Sequence, residues 1–187
     1  GALLMLAAVA VLLWQRRMNQ RLDRTSRRDA LTGLSNRRDM SQKLRQQAAV
    51  PGAMATVLLV DIDLFKRIND DLGHDTGDAV LVSVARRLEA AVGSEGSVAR
   101  WGGEEFLVFL PGADEDATRR LSERLRQEQT EPVIVGERRV SATISIGYCN
   151  LPIAGTRGPE AWNYSLQLAD ASLYLAKDAG RDAWVGV

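Results

Sequence analysis

The fourteen residues SVARWGGEEFLVFL, at positions 97–110, form two apolar runs separated by a Gly-Gly pair and two acids. Each run has the length and composition of a short buried β-strand, Ser97–Trp101 before the glycines and Glu105–Leu110 after them. A Gly-Gly dipeptide suits the positive φ angles of a tight hairpin turn. We therefore predict an antiparallel hairpin with its turn at Gly102-Gly103, followed by a stop at Pro111-Gly112.

Strand-like and helix-like patterns alternate on both sides of this hairpin. The β-branched, apolar run Ala55–Val60 predicts a buried strand that ends in Asp61-Ile62-Asp63. Thr76–Val92 is typical of a helix, with an apolar stripe at Ala79, Val82, Val84, Leu88 and Val92. The later predicted elements are a helix over Asp114–Gln129, a strand over Arg139–Tyr148, a helix over Trp162–Ala179 ended by Gly180, and a strand over Asp182–Val185. This order predicts a mixed α/β fold whose helices flank a central, largely antiparallel sheet.

The composition is that of one globular domain with some residues to spare. The chain has 187 residues, of which 45% are hydrophobic and 26% are charged. Lys and Arg number 24 and balance 24 Asp and Glu, which argues against a nucleic-acid-binding protein. Because Cys149 is the single cysteine, no internal disulfide forms, and we expect a reducing compartment such as the cytosol.

The first 28 residues differ in composition from the rest of the chain. Residues 2–14 are apolar and are followed by arginines, as at the cytoplasmic end of a membrane helix with Trp14 at the interface. They are fewer than the roughly 20 residues that span a bilayer, so we interpret residues 1–14 as the end of such a helix. The alternative is a packing helix of the folded domain. Residues 15–28 are predicted to form a stalk or a plain linker helix, and residues 29–187 the folded domain. We expect the chain at the inner (cytoplasmic) membrane, with that domain in the cytoplasm.

Acidic side chains cluster where two predicted strands end. Asp61 and Asp63 follow one strand, and Glu104-Glu105 follow the two glycines of the hairpin turn. Carboxylate oxygens of this kind suit Mg²⁺, which takes one or two carboxylates together with substrate phosphates. Lys177 and Arg181 lie four residues apart at a helix end, so that both could hold phosphate oxygens. Taken singly, each of these residues is equally typical of a solvated turn or helix surface.

Five motifs, in the same order along the chain, resemble the GGDEF family of diguanylate cyclases. The central one is RWGGEEF at 100–106, which is the Glu-Glu form of the family signature. The others are DALTGLSNR at 29–37, DIDLFKRIND at 61–70 with Gly73-His74 and Gly77-Asp78, SIG at 145–147, and the closing-helix residues between Ala169 and Arg181. The resemblance covers residues 29–187 and implies a palm-like nucleotidyl cyclase fold. The departures are Trp101 for the usual Tyr, Asp182 for the usual Asn, and a longer loop over Cys149–Gly158.

The resemblance also implies a role for individual residues. The metal, Mg²⁺ or Mn²⁺, would be held by Asp61, Glu104 and the Ile62 carbonyl. Glu105 lies beside them, and Glu104 is the family's proposed proton acceptor for the ribose 3′-hydroxyl. The implied nucleotide-binding residues are Asn69 and Asp78 for guanine, His74 near the nucleotide, Phe65 with its neighbouring turn amides, Gly102 and Gly103 at the turn, Lys66 for the α-phosphate, and Lys177 and Arg181 for the β- and γ-phosphates. An amide and a carboxylate complement the guanine edge, and the sequence has no Walker-type phosphate loop.

The implied activity is the condensation of two GTP molecules into cyclic di-GMP with release of pyrophosphate. Since one domain would hold one GTP, the resemblance implies that a homodimer is needed for catalysis. Many family members carry a product-inhibition site with the signature Arg-x-x-Asp, and the corresponding positions here are Gly93 and Gly96. We therefore expect no such site. Two alternatives stay open: a GTP-binding signalling module without cyclase activity, and another palm-type cyclase or polymerase-like fragment.

Overall fold

The computed structural model describes residues 27–48, 50, 54–151 and 159–187. The five helices of these ranges, in chain order, are α1 (Arg37–Ala48), α2 (Phe65–Leu72), α3 (His74–Val92), α4 (Glu115–Gln127) and α5 (Pro159–Asp178). The eight strands of the same ranges are β1 (Ser35–Asn36), β2 (Ala55–Ile62), β3 (Ser97–Arg100), β4 (Glu105–Pro111), β5 (Val133–Val135), β6 (Arg138–Val140), β7 (Ile144–Leu151) and β8 (Trp184–Gly186). A short 3₁₀ turn, Gly93–Glu95, follows α3.

Six of the strands form one sheet in the order β1-β3-β4-β2-β7-β8. The pairs β3–β4, β4–β2 and β2–β7 are antiparallel, whereas the edge strands β1 and β8 pair in parallel with β3 and β7. β5 and β6 form a separate antiparallel hairpin. The prediction of a mixed α/β fold with a largely antiparallel central sheet is confirmed.

The central strand β2 is buried on both faces of the sheet, which explains its continuous apolar sequence. Leu58, Val60 and Ile62 belong to a core cluster shared with α3 and α4. Because successive side chains of a strand point to opposite faces, Val57 and Leu59 belong to the other cluster, shared with α1 and α5. Two helical layers thus fix β2 in the middle of the molecule, with its carboxyl end at one edge.

Three details of the sequence prediction are wrong. The strand expected over Arg139–Tyr148 is two strands, β6 and β7, which belong to different sheets. In α3, Ala79 and Val82 are only half-buried, and the face that packs on the sheet includes Val80, Leu81, Val84 and Leu88. The expected long loop over Cys149–Gly158 begins later, because β7 continues through Leu151; the loop itself lies outside the described residues.

Cys149 lies in β7 with 1% of its surface exposed, and burial raises the pKa of its thiol to about 11. The residue is therefore a protonated member of the core at neutral pH.

No helix within the described ranges is long and apolar enough to cross a membrane. The predicted membrane segment at 1–14 and most of the predicted linker at 15–28 lie outside those ranges.

Candidate active site

The pairing of β2 with β4 brings the two acidic motifs together. Asp61 is the direct partner of Glu105 across the antiparallel ladder, and the Ile62 N–H donates to the Glu104 carbonyl over 3.3 Å. On its other side Asp61 faces Ser145 of β7. The carboxylates that are 43 or 44 residues apart in sequence therefore meet at one sheet edge, as the strand ends predicted.

Asp61 is almost fully buried, and its charge is paired with a cation from α5. Its side chain is 7% exposed, and Oδ1 lies 2.8 Å from the Nζ of Lys177. Burial raises the pKa of Asp61 and repulsion from Asp63 adds to this, while Lys177 and the charge of Arg181 oppose it. Both predicted phosphate-binding cations thus act on the predicted metal ligand.

Glu104 is half-buried beside Asp61. Burial raises the pKa of the Glu104 carboxyl, and repulsion from Asp61 and Glu105 adds to the increase, while Lys177 lowers it. Two adjacent carboxylates, each hindered in holding its charge, favour a bound cation. Hard oxygen donors of this kind suit a small divalent metal ion. No group of three or more His, Cys, Asp or Glu side chains that could hold a metal occurs within the described ranges.

Asp63, the other acid at the end of β2, lies close enough to repel Asp61, but its carboxylate is engaged by other donors. Its Oδ1 accepts from the Ser145 hydroxyl at 2.6 Å, and its Oδ2 accepts from the Thr143 hydroxyl at 2.7 Å and the Asp182 N–H at 3.0 Å. Both oxygens of the buried carboxylate are therefore hydrogen-bonded. Asp63 therefore binds the turn after α5 through the Asp182 N–H.

The hairpin turn between β3 and β4 is held by hydrogen bonds, without the left-handed backbone that we expected. Neither Gly102 nor Gly103 has a positive φ angle. Instead, a Cβ at Gly102 would lie 2.5 Å from Glu105 Oε2, whereas a Cβ at Gly103 would meet nothing within 4 Å. Arg100 donates to the Gly103 carbonyl from Nη2 at 2.7 Å and pairs with Asp29 at 3.3 Å, which links the first motif to the turn.

Trp101, the residue found where Tyr is usual, lies under the guanidinium of Arg37 at 4.7 Å from the ring centroid. This cation–π contact joins α1 to the strand that enters the turn.

Helices α2 and α3 carry the predicted guanine-binding residues. Asn69 is half-buried and packs on Gly77, where a Cβ would lie 1.9 Å from its Oδ1. Asp78 and His74 are exposed on the first turns of α3. Asn69 and Gly77 are thus in contact, and Asp78 follows Gly77 directly in the chain.

The start of α2 presents uncapped backbone amides. Leu64 at its N-cap has a left-handed backbone with φ 55° and offers no side-chain cap. The Phe65 side chain is 7% exposed and belongs to the core, so it does not project towards solvent. What Phe65 and Lys66 offer at this end is their N–H groups, and the Lys66 side chain is exposed.

The chain reverses sharply after α5. The helix ends in a Schellman-type arrangement in which the Arg181 N–H donates to the Ala176 carbonyl at 3.2 Å and Gly180 has φ 118°. Arg181 and Asp182 follow with φ 67° and 42°, which costs a non-glycine residue roughly 1–2 kcal/mol. The predicted stop at Gly180 is confirmed, and the next residue is the predicted phosphate-binding Arg181.

Positions 93 and 96, where the product-inhibition signature would place Arg and Asp, are both glycines in the turn after α3. Gly93 has φ 54°, and a Cβ at Gly96 would lie 2.3 Å from the Phe109 carbonyl oxygen. Arg124 of α4 donates to the Ala91 carbonyl at 2.7 Å and pairs with Glu95 at 3.2 Å.

Sequence reasoning missed three contacts that organise the site. The Asp29–Arg100 pair joins residues 71 apart, both of which lie in recognised motifs. The fit of Asn69 on Gly77 and the binding of Asp182 by Asp63 depend on backbone geometry. For these last two, no signal in the sequence was available beyond the presence of the residues.

The sheet edge thus combines carboxylates, the cation Lys177 and the first amides of α2, which suits a phosphate-bearing ligand bound together with a divalent metal. Comparison with known proteins identifies the family. The family model described as "Diguanylate cyclase, GGDEF domain" matches residues 26–183. The chain therefore belongs to the GGDEF family of diguanylate cyclase domains.

Individual relatives agree with this assignment. Diguanylate cyclase DgcP of Pseudomonas aeruginosa is 42% identical over 158 residues, which cover 82% of this chain and 23% of that protein. The structure of diguanylate cyclase SiaD in complex with its activator SiaC, from Pseudomonas aeruginosa, has a TM-score of 0.79 at 36% identity and covers 99% of this chain and 72% of SiaD.

The structure of the active GGEEF domain of a diguanylate cyclase from Vibrio cholerae has a TM-score of 0.73 at 29% identity, covering 82% of this chain and 97% of that one. The chain spans less than half the length of curated relatives such as DgcP and DgcM of Escherichia coli, at 23% and 43%.

Proposed function

We propose that the protein is a diguanylate cyclase that condenses two GTP molecules into cyclic di-GMP and releases two pyrophosphates. The observation that carries this proposal is the pairing of Asp61 opposite Glu105, next to Glu104, with Lys177 on Asp61 at 2.8 Å. Family membership supports it, and the Vibrio cholerae domain of the same Glu-Glu form is described as active.

The substrate's two ends have distinct partners in this proposal. Asn69 and Asp78 pair with the guanine edge, where an amide and a carboxylate match its N1–H, N2–H₂ and O6 groups. His74 lies on the first turn of α3, the helix that carries Asp78, and is placed close to the nucleotide. The phosphates meet the first amides of α2 and the cations Lys66, Lys177 and Arg181, because charge-assisted hydrogen bonds to phosphate are the strongest available to these side chains.

Asp61, Glu104 and the Ile62 carbonyl are the residues that would hold Mg²⁺ or Mn²⁺. When bound, such an ion neutralises the charge that develops on the attacking and leaving oxygens. The turn glycines leave space for the nucleotide, and Glu105 adds negative charge beside the ligands.

The reaction forms a bond from the 3′-oxygen of one GTP to the α-phosphorus of the other and breaks the bond to the β-phosphate oxygen. Glu104 accepts the 3′-hydroxyl proton, a role favoured by its raised pKa. Lys66 stabilises the charge on the α-phosphate, and pyrophosphate leaves between Lys177 and Arg181. A second, identical step closes the ring.

Two copies of the domain must face each other for this reaction, each presenting its Gly102-Gly103 turn. Because each domain supplies one GTP, the rate at low protein concentration should rise with the square of the concentration.

We also propose that residues 1–14 attach the protein to the inner (cytoplasmic) membrane, with the folded domain in the cytoplasm and residues 15–28 connecting the two. In a flotation assay, the whole chain should rise with phospholipid vesicles, whereas a chain beginning at Gln15 should remain in the bottom fraction. Equal flotation of the two would contradict this assignment.

The test of the catalytic proposal is incubation of the purified protein with GTP and Mg²⁺, followed by identification of the products by mass. Cyclic di-GMP and pyrophosphate in a 1:2 ratio are expected. Binding of GTP without any dinucleotide would assign the chain to the non-catalytic class of GTP-binding modules. A dinucleotide from ATP at an equal rate would exclude the roles given to Asn69 and Asp78.

A further inference from the structure

The turn after α5 places Arg181, the predicted phosphate-binding residue, on a left-handed backbone. Gly180, Arg181 and Asp182 have three consecutive positive φ angles, and two of these residues carry side chains that disfavour this region. Such a conformation persists when surrounding contacts determine it. Two sets of contacts do so here, one from each side of the turn.

The inner contact is Asp63. Its Oδ2 accepts the Asp182 N–H at 3.0 Å, while hydroxyls of Thr143 and Ser145 fix the carboxylate from β7 and the segment before it. Asp63 is 6% exposed and lies two residues beyond Asp61. The same strand end that carries the predicted metal ligand therefore also anchors the turn.

The outer contact is Arg126 of α4. Its Nη1 lies 3.1 Å from both carboxylate oxygens of Asp182, and the guanidinium also binds Glu123 through Nε at 3.1 Å and Nη2 at 2.7 Å. Glu123 in turn accepts from the indole N–H of Trp184 in β8 at 3.1 Å. Asp182 stands where the family usually has Asn, and an amide offers only one oxygen to this guanidinium. The outer contact thus depends on the residue by which this chain departs from its family.

We propose that Asp63 and Arg126 are positioning residues, which hold the Arg181–Asp182 turn so that the Arg181 guanidinium faces Asp61 and the terminal phosphates of bound GTP. This inference rests on the proposed function, since it takes from it the role of Arg181. Neither residue contacts the substrate; each acts through the backbone or side chain of Asp182. Loss of either contact should weaken binding of the β- and γ-phosphates and leave binding of the guanosine part unchanged.

The experiment compares Asp63→Ala, Arg126→Ala and Asp182→Asn with the parent chain. Asn tolerates a left-handed backbone, so Asp182→Asn weakens the outer contact without adding strain. Arg120→Ala, which removes an exposed arginine from the same helix, is the matched control. Each protein is titrated calorimetrically with GMP and with a non-hydrolysable GTP analogue, both with Mg²⁺, and exchange of the Asp182 amide hydrogen is followed by NMR.

We expect Asp63→Ala to lower the affinity for the GTP analogue about tenfold, the scale of one hydrogen bond to a charged group. Arg126→Ala and Asp182→Asn should lower this affinity severalfold. GMP affinity should be unchanged in all of them, and Arg120→Ala should match the parent with both ligands. Exchange of the Asp182 amide should be faster in Asp63→Ala.

A double-mutant cycle separates positioning from general destabilisation. In an Arg181→Ala background, Asp63→Ala and Arg126→Ala should cause no further loss of analogue affinity. Additive losses, or equal losses for GMP and the analogue, would overturn the proposal. If Asp63→Ala does not fold, Arg126→Ala and Asp182→Asn decide it by the same criteria.

These measurements need no turnover, so the two proposals fail separately. A parent protein that binds the analogue and makes no cyclic di-GMP refutes the cyclase activity, while the positioning proposal is still decided by the cycle. A parent protein that binds the analogue no more tightly than GMP overturns the positioning proposal.

Discussion

At the scale of single residues, the acids at the end of β2 and in the following hairpin have different tasks although they look alike in sequence. Burial raises the pKa values of Asp61 and Glu104, and the charge of Asp61 adds to the increase at Glu104, whereas Asp63 accepts hydrogen bonds from three donors. The same side-chain chemistry gives a candidate metal ligand in one place and an anchor for a turn in another. The partners decide: Lys177 pairs with Asp61, whereas the Thr143 and Ser145 hydroxyls and the Asp182 N–H donate to Asp63.

Replacing Glu104 by Ala should abolish cyclic di-GMP formation, because the variant loses a metal ligand and the proton acceptor at the point where charge develops. Binding of a GTP analogue should fall less than turnover. Initial rates and calorimetric titration measure the two effects, with the exposed Glu115→Ala as control. A Glu104→Ala protein with near-parental turnover would contradict both roles.

Gly77→Ala should weaken guanine binding although it strengthens the helix. Ala is favoured over Gly in a helix by about 1 kcal/mol, but its Cβ would lie 1.9 Å from Asn69 Oδ1 and so displaces that side chain. GMP affinity should therefore fall. The Cβ would also lie 3.2 Å from Phe65 Cζ, and this close contact offsets the gain in helix propensity, so the melting temperature should change little.

Asn69→Ala serves as the comparison for this variant. The double substitution should bind GMP no more weakly than Asn69→Ala alone, because both changes act on one side chain. Additive losses would show that Gly77 affects the nucleotide by another route.

At the scale of elements, the β3–β4 hairpin takes its shape from a side chain outside the turn. Arg100, 18% exposed, binds the Gly103 carbonyl and Asp29 together. Arg100→Ala should destabilise the protein by about 2 kcal/mol, since hydrogen bonds to charged groups contribute roughly 1.5–3 kcal/mol. It should also reduce turnover more than GTP binding. Urea unfolding and steady-state kinetics test this against Arg45→Ala on the exposed side of α1; equal stability of the two variants would disprove it.

Helix α4 is attached to the sheet through Glu123, and this attachment should depend on pH. Arg126, with further hydrogen bonds from Trp184 and Gln127, lowers the pKa of Glu123 to about 2 from an ordinary value of 4.5. A carboxyl with a lowered folded-state pKa contributes stability above its unfolded pKa, and this contribution is lost as the pH falls from about 4.5 towards 2. Since 38% of the side chain is exposed, solvent screening reduces its size.

Glu123→Gln should therefore be less stable than the parent at pH 7, and the difference should shrink steadily between pH 4.5 and 2. Thermal unfolding at a series of pH values measures it. A difference that is independent of pH would mean that the charge of Glu123 contributes nothing.

At the scale of the whole molecule, the face made by α3, the 3₁₀ turn and α4 should not bind cyclic di-GMP. Gly93 and Gly96 provide no side chains, and Arg124 is engaged by Glu95 and the Ala91 carbonyl. An Asp at position 96 would collide with the Phe109 carbonyl unless the backbone moved. The packing at position 96 therefore leaves no room for a side chain. We predict that cyclic di-GMP does not inhibit the enzyme by binding at this face.

Calorimetric titration with cyclic di-GMP, with the active site filled by a non-hydrolysable GTP analogue, tests this prediction. No heat of binding is expected at micromolar concentrations. Tight binding that is lost in Arg124→Ala would contradict it.

The sequence by itself determined β2, the β3–β4 hairpin, α3, α4 and α5, the largely antiparallel sheet and the acids at its edge, whereas it did not indicate α1, α2 or the division of β6 from β7. These follow from short-range patterns: a β-branched run fixes β2, and a glycine after an apolar helix fixes the end of α5. Strand pairing then carries Asp61 to Glu105, because the hydrophobic register of two buried strands leaves little freedom. The motif resemblance supplied the family, which the comparisons confirmed.

Only the tertiary structure decided which of these residues touch. Asp63 binds a backbone N–H 119 residues away, and Arg126 binds Asp182 from 56 residues away. Likewise, neither Gly102 nor Gly103 has the positive φ angle that the dipeptide suggested, and Arg100 donates to the Gly103 carbonyl. Such contacts depend on where packed helices and strands place a side chain to within about an ångström, which no local pattern encodes. The physical reason is that residue spacing fixes the face on which a side chain lies, whereas its partner is fixed by the assembly of the whole core.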